Sequence, residues 1–162
     1  MSNDVTSAPP GPDLSDRPFT LTVEREFAVP AHSIYLAWTE RFDSWFAAPG
    51  TVLMRPEINT AFFFETVFKA PGAKLAKRYP HYGRFLRLVP DRLIELTWVT
   101  GAGGTEGAET VVTVELQPRG DRSHLRLIHA GFAGQAALDQ HLAAWPGVLA
   151  HMDAQLQRNP VR

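Results

Sequence analysis

From Thr20 the chain alternates. Leu21, Val23, Phe27 and Val29 fall on one parity, and Thr22, Glu24 and Glu26 on the other. A period of two is the signature of a strand with one buried face. Arg25 interrupts it, a charged side chain on the apolar parity. Pro30 then opens a helical pattern, because proline is tolerated in a first turn, and Ile34, Ala37 and Trp38 follow at helical spacing. RFDSWF reads as a second short helix or turn, closed by AAPG. Strand patterns follow in TVLMR, AFFFETVF, YGRFLRL, LIELTWV, TVVTVEL and HLRLIH, with KAPGAKLAKRYP as a loop, LVPDR and QPRGDR as turns and GAGGTEGA as a glycine-rich hairpin loop. One face carries Ile94, Leu96 and Trp98, another Val112, Val114 and Leu116, and a third Leu125, Leu127 and His129. AFFFETVF is apolar on both parities, so the inward phenylalanines are not distinguished. Short turns predict an antiparallel sheet of seven strands.

The last segment predicts a helix from near Gly134 to near Gln157, about 35 Å long. Advancing roughly 100° per residue, Leu138, Leu142, Trp145, Val148, Leu149, Met152 and Leu156 form one apolar stripe about 120° wide. His141 falls within that stripe and His151 outside it, so the two do not form a metal pair, which needs spacing such as i, i+4. His129 and His141 can share an interior. Two imidazoles without a third ligand favour core-edge histidines or polar groups of a ligand cavity over zinc. Pro146 removes one backbone bond within the helix and predicts a kink there.

Composition narrows the function. The chain has 162 residues, enough for one domain, and no cysteine, which excludes thiol chemistry and disulfides and fits a reducing cytoplasm. A formal net charge of −1 and the lack of a basic run argue against nucleic-acid binding. No apolar run is long enough to cross a membrane, and no signal peptide is legible, so a cytoplasmic protein without membrane insertion is expected. Residues 1–18 hold four prolines and little to bury, and read as a flexible tail. The domain is expected over 19–158, with a second tail at 159–162.

PAHSIYLAWTERFDSWF (30–46), HYGRFLRLVPDRLIELTWVTG (81–101), AETVVTVELQPRGDRSHLRLIHAGF (108–132) and HLAAWPGVLAHM (141–152), taken in order, resemble the activator of Hsp-90 ATPase homologue-like family. This family is of the C-terminal-domain type, within the START-like (SRPBCC, polyketide-cyclase-like) superfamily. The resemblance implies an α+β helix-grip fold, as in birch-pollen allergens. In it a curved antiparallel sheet of six to seven strands wraps a long C-terminal helix, with two short helices after the first strand. It also implies binding of small apolar or amphipathic molecules. The family usually carries Gly-Gly before the third strand, where this chain has Asn59 and Thr60. Asn can take the backbone conformation that glycine favours there; Thr does so less well.

The candidate cavity residues are Arg25, Phe62, Phe64, Tyr82, Arg84, Trp98, His129, His141, Trp145 and Met152. No catalytic residue, metal ligand or cofactor is expected, and the expected partner is a small apolar ligand with one polar handle. An enzyme of the cyclase, dehydratase or hydrolase type is the alternative, using His129, His141 or Glu65. A protein-interaction module is the other, co-chaperone-like or a homodimer. The chaperone activator has a separate N-terminal domain, and only a short tail precedes the domain here, which weighs against ATPase activation.

Overall fold

Most of the alternating patterns become strands of one sheet. The computed structural model describes residues 10–159. In chain order the elements are β1 (Phe19–Phe27), α1 (Ala31–Thr39), a 3₁₀ turn (Phe42–Ser44), β2 (Ala61–Phe68), β3 (Lys77–Val89), β4 (Leu93–Trp98), β5 (Thr110–Arg119), β6 (Arg122–Phe132) and α2 (Gln135–Arg158). The strands form one antiparallel sheet in the order β1-β6-β5-β4-β3-β2. α2 lies against its inner face, along β1 and β6. This is an α+β, helix-grip arrangement. No helix among the described residues is long and apolar enough to cross a membrane.

The sheet has six strands, not seven. TVLMR contributes one isolated bridge, Leu53 with Phe63. Pro56 follows directly, and proline cannot extend a ladder on its N–H side. The second short helix is only the three-residue 3₁₀ turn. β3 also begins earlier than its pattern predicts: Lys77–Pro80, read as loop, and His81 after them pair with β2. Pro80 is tolerated because this part of β3 runs past the end of β4 and has a neighbour on one side only.

The inward parities hold. Ile94, Leu96, Val112, Val114, Leu125, Leu127 and His129 are all fully buried. In β2 the ambiguity resolves to Phe62 and Phe64, with Phe63 on the opposite face. Trp38 on α1 is the hub of the core. It stacks on Trp145 with ring centroids 6.1 Å apart and packs against Phe42, Trp45 and Trp98. Its indole N–H meets no oxygen or nitrogen among the described residues and lies in a cage of rings. α2 departs from its predicted stripe at Leu142, which is 45% exposed.

Asn59 takes the position where the family has glycine, and its φ is +61°. Asn tolerates this left-handed conformation better than most residues. Thr60, the poorer substitute, is not asked to adopt it. The Asn59 N–H donates to the Phe85 carbonyl at 2.7 Å, fixing the turn into β2.

Of the tail expected over 1–18, residues 1–9 lie outside the described residues, as do 160–162 of the C-terminal tail. Residues 10–18 run over the outer face of the sheet. Arg84 donates to the Pro10 carbonyl at 2.9 Å, and Arg17 donates to the carbonyls of Gly131 and Glu109. Gly131, at φ +91°, has no Cβ to displace the Leu14 side chain, which would lie 2.6 Å from one.

Arg25 is explained by its partner. Asp153 on α2 is buried, with 6% of its side chain exposed, and accepts from Arg25 at 3.2 Å. It also accepts from the Ala28 N–H and the Gln157 amide. The carboxylate thus ties α2 to β1. Removing the guanidinium leaves a buried charge with fewer donors. Arg25→Ala is expected to lower stability by about 2 kcal/mol, because a bond to a charged group contributes roughly 1.5–3 kcal/mol. Urea unfolding of the variant checks this; an unchanged midpoint contradicts it.

Candidate functional site

β2 and β3 extend past the end of β4, and this overhang faces the stretch of α2 from Gln140 to Val148. The space between them is a cleft of about 680 Å³. The sheet side supplies Thr66 and Phe68 from β2 and Arg78–His81 from β3. Trp98 and the loop Thr100–Gly104 close one end. α2 supplies Gln140, His141, Ala144, Trp145 and Val148, and Phe46 comes from the segment after the 3₁₀ turn. Phe68 and Tyr79 are partly exposed at the mouth.

The glycine-rich loop is held in shape by two threonines. The Thr100 N–H donates to Thr105 Oγ1 at 2.9 Å, and the Thr105 N–H donates to Thr100 Oγ1 at 2.7 Å. This is a hairpin wall, not a phosphate cradle, since it opens a strand rather than a helix.

Three of the ten candidate residues line the cleft: Trp98, His141 and Trp145. The other seven do not. Arg25 is paired with Asp153. Phe62, Phe64 and Met152 are packed in the core. Tyr82 and Arg84 are on the outer face, Tyr82 at 47% exposure and Arg84 bonded to Asn59 and Pro10. Parity explains this: Phe64 pairs with His81 and Phe62 with Gly83, so Tyr82 and Arg84 fall on the other side.

His129 is fully buried behind Trp145. An indole N–H can only donate, so the bond of Trp145 Nε1 to His129 Nδ1 at 3.1 Å makes Nδ1 an acceptor. The ring proton is then on Nε2 and goes to Thr110 Oγ1 at 2.7 Å, while the threonine hydroxyl donates to the Trp98 carbonyl at 2.5 Å. Burial holds the His129 pKa well below its ordinary value, as does the neighbouring His141. This imidazole is a neutral structural link between β6, β5, β4 and α2, which removes it from the catalytic alternative. Glu65 is likewise engaged, by Arg78 at 2.8 Å.

His81 is not among the sequence candidates, because the strand pattern begins one residue later, at Tyr82. Counting back by twos from Phe85 through Gly83 would have found it. Its ring stacks on Phe64 with centroids 4.8 Å apart and meets Trp98 edge-on at 5.2 Å. Burial lowers its pKa to about 4, with the bond to Tyr79 opposing and His141 adding to the shift. His141 is half-buried, and burial lowers its pKa too. Among the described residues no group of three or more histidines or carboxylates is placed to hold a metal ion.

Residues 28–157 match the protein family described as Activator of Hsp90 ATPase homolog 1-like protein. No curated protein matches the chain. Among solved structures, the chain is similar to protein MLL2253 from Mesorhizobium loti, at 20% identity over 88% of this chain and 99% of that one, with a TM-score of 0.67. It is similar to protein CV1439 from Chromobacterium violaceum at 21% identity, covering 85% and 96%, with a TM-score of 0.68. The AHSA1 (SPO3351) protein from Silicibacter pomeroyi gives 20% identity, 86% and 98% coverage and a TM-score of 0.68. At these identities the likeness establishes the fold.

Proposed function

From the premise that this chain belongs to the Activator of Hsp90 ATPase homolog 1-like family, and from the shape of its cleft, we propose that the protein binds a small, largely apolar molecule between the sheet and α2. The observation that carries the reading is the cleft itself: about 680 Å³, walled by aromatic rings, with a few polar groups. Sites for small organic ligands run from roughly 300 to 1,000 Å³ with such a lining. The cleft is one space between the sheet and α2, beside a core of buried apolar side chains. Its one full charge, Arg78, is already offset by Glu65, which favours a neutral ligand over an ionic one.

Native and denaturing mass spectra of freshly purified protein test this reading. A captured ligand gives extra mass in the native spectrum that is lost on denaturation. A bare chain, together with no thermal shift from a panel of apolar aromatic and aliphatic compounds, overturns it.

A further inference from the structure

Both histidines that line the cleft have the same ring nitrogen occupied. His81 Nδ1 is 2.9 Å from the Tyr79 carbonyl, and His141 Nδ1 is 2.7 Å from the Ala137 carbonyl. A carbonyl oxygen can only accept, so each Nδ1 carries the proton. Each neutral ring then has its lone pair on Nε2. Neither Nε2 has a protein partner among the described residues, and the cleft is what remains to satisfy it. His81 is more than nine-tenths buried, yet its Nε2 is not among the sealed side-chain atoms that lack a partner, so what remains exposed of the ring includes this acceptor. Backbone geometry fixes both tautomers, one through a strand and one through a helix turn. The two rings therefore present acceptors, not donors, to whatever enters.

We propose that His81 Nε2 and His141 Nε2 form an acceptor pair that selects a neutral aromatic ligand bearing a hydroxyl donor, and discriminates against one whose polar atom only accepts. This rests on the ligand-binding reading of the cleft. Trp98 and Trp145 supply ring faces for the aromatic body, while one of the two imidazoles accepts the hydroxyl proton. The low proton affinity of His81 keeps its lone pair free at neutral pH. A site built to accept from a hydroxyl rejects the analogue that lacks the proton, because its own lone pair is then buried unmet.

The test compares 2-naphthol with 2-methoxynaphthalene, which has the same ring system and an oxygen that cannot donate. Calorimetric titration of the whole chain at pH 7.5 is expected to show naphthol binding roughly tenfold more tightly, the size of one well-made hydrogen bond. That preference is expected to collapse in His81→Leu and His141→Leu together. Should the double variant fail to fold, nitrogen-detected spectra of the wild-type imidazoles give an independent reading. Both rings are expected in the Nδ1–H tautomer, with naphthol moving at least one Nε2 resonance and methoxynaphthalene moving neither. Equal affinity for the two probes, or an Nε2–H tautomer at both rings, overturns the acceptor pair while leaving the ligand-binding reading standing. Binding of neither probe counts against both.

Discussion

His129→Ala is expected to lower the free energy of unfolding by about 4 kcal/mol, a large share of the roughly 5–15 kcal/mol that holds a domain of this size together. The ring is fully buried, so truncation leaves a cavity among Phe132, His141 and Trp145. It also strands two groups that the imidazole satisfies. Trp145 Nε1–H loses its acceptor, and Thr110 Oγ1 loses a donor. Each unmet buried group costs about 1–3 kcal/mol. His129→Phe separates the two causes, because it refills the volume and leaves both groups unmet. It is expected to recover the cavity part only, and to remain about 2 kcal/mol below wild type. Urea unfolding followed by tryptophan fluorescence measures both. Equal stability of His129→Phe and wild type would show that the relay contributes nothing beyond packing.

The same relay shows what sequence can and cannot reveal. The inward position of His129 follows from period two along β6, since Leu125, Leu127 and His129 share a parity. Its role does not, because that depends on Trp145 from a helix 16 residues later and Thr110 from the adjacent strand. Arg25 behaves alike: its anomalous parity is visible, but its partner Asp153 is 128 residues away on α2. The architecture was legible because alternation and helical spacing are local properties. The cleft was not, because it exists where one strand outruns its neighbour. That is a matter of register, and a proline in YPHYG made the outrunning part look like a loop. Trp98 is legible as the inward residue that ends β4, and His141 and Trp145 as members of the apolar stripe of α2. His81 was lost to a strand boundary misplaced by a few residues, the least secure feature of such readings.

Acidification is expected to destabilise the protein well before its carboxylates protonate. His81 has a folded-state pKa of about 4 against an ordinary 6.5. Between these values the unfolded chain binds a proton that the folded chain refuses, so stability rises with pH across the window. The contribution is complete above pH 6.5 and is lost progressively down to about pH 4. One pKa unit corresponds to 1.36 kcal/mol, so His81 alone accounts for about 3 kcal/mol. His129, depressed by fuller burial, adds loss of the same sign from the same starting point. His124 opposes them. Glu24 and Glu26 raise its pKa, so its contribution is present at low pH and fades as pH rises through the folded value. It is a surface group and its effect is the smaller. Glu95, held low by Arg87, begins to lose its contribution only as pH drops below 4.5. The interval from pH 6.5 to 4.5 therefore belongs to the histidines. Urea midpoints measured across it are expected to fall steadily in wild type. His81→Phe keeps a ring stacked on Phe64 and removes the titrating group, so its profile is expected to be shallower by about 1.4 kcal/mol per pH unit. A variant that follows the wild-type slope would mean that His81 takes up its proton in the folded state, and that the cleft admits enough water to solvate it.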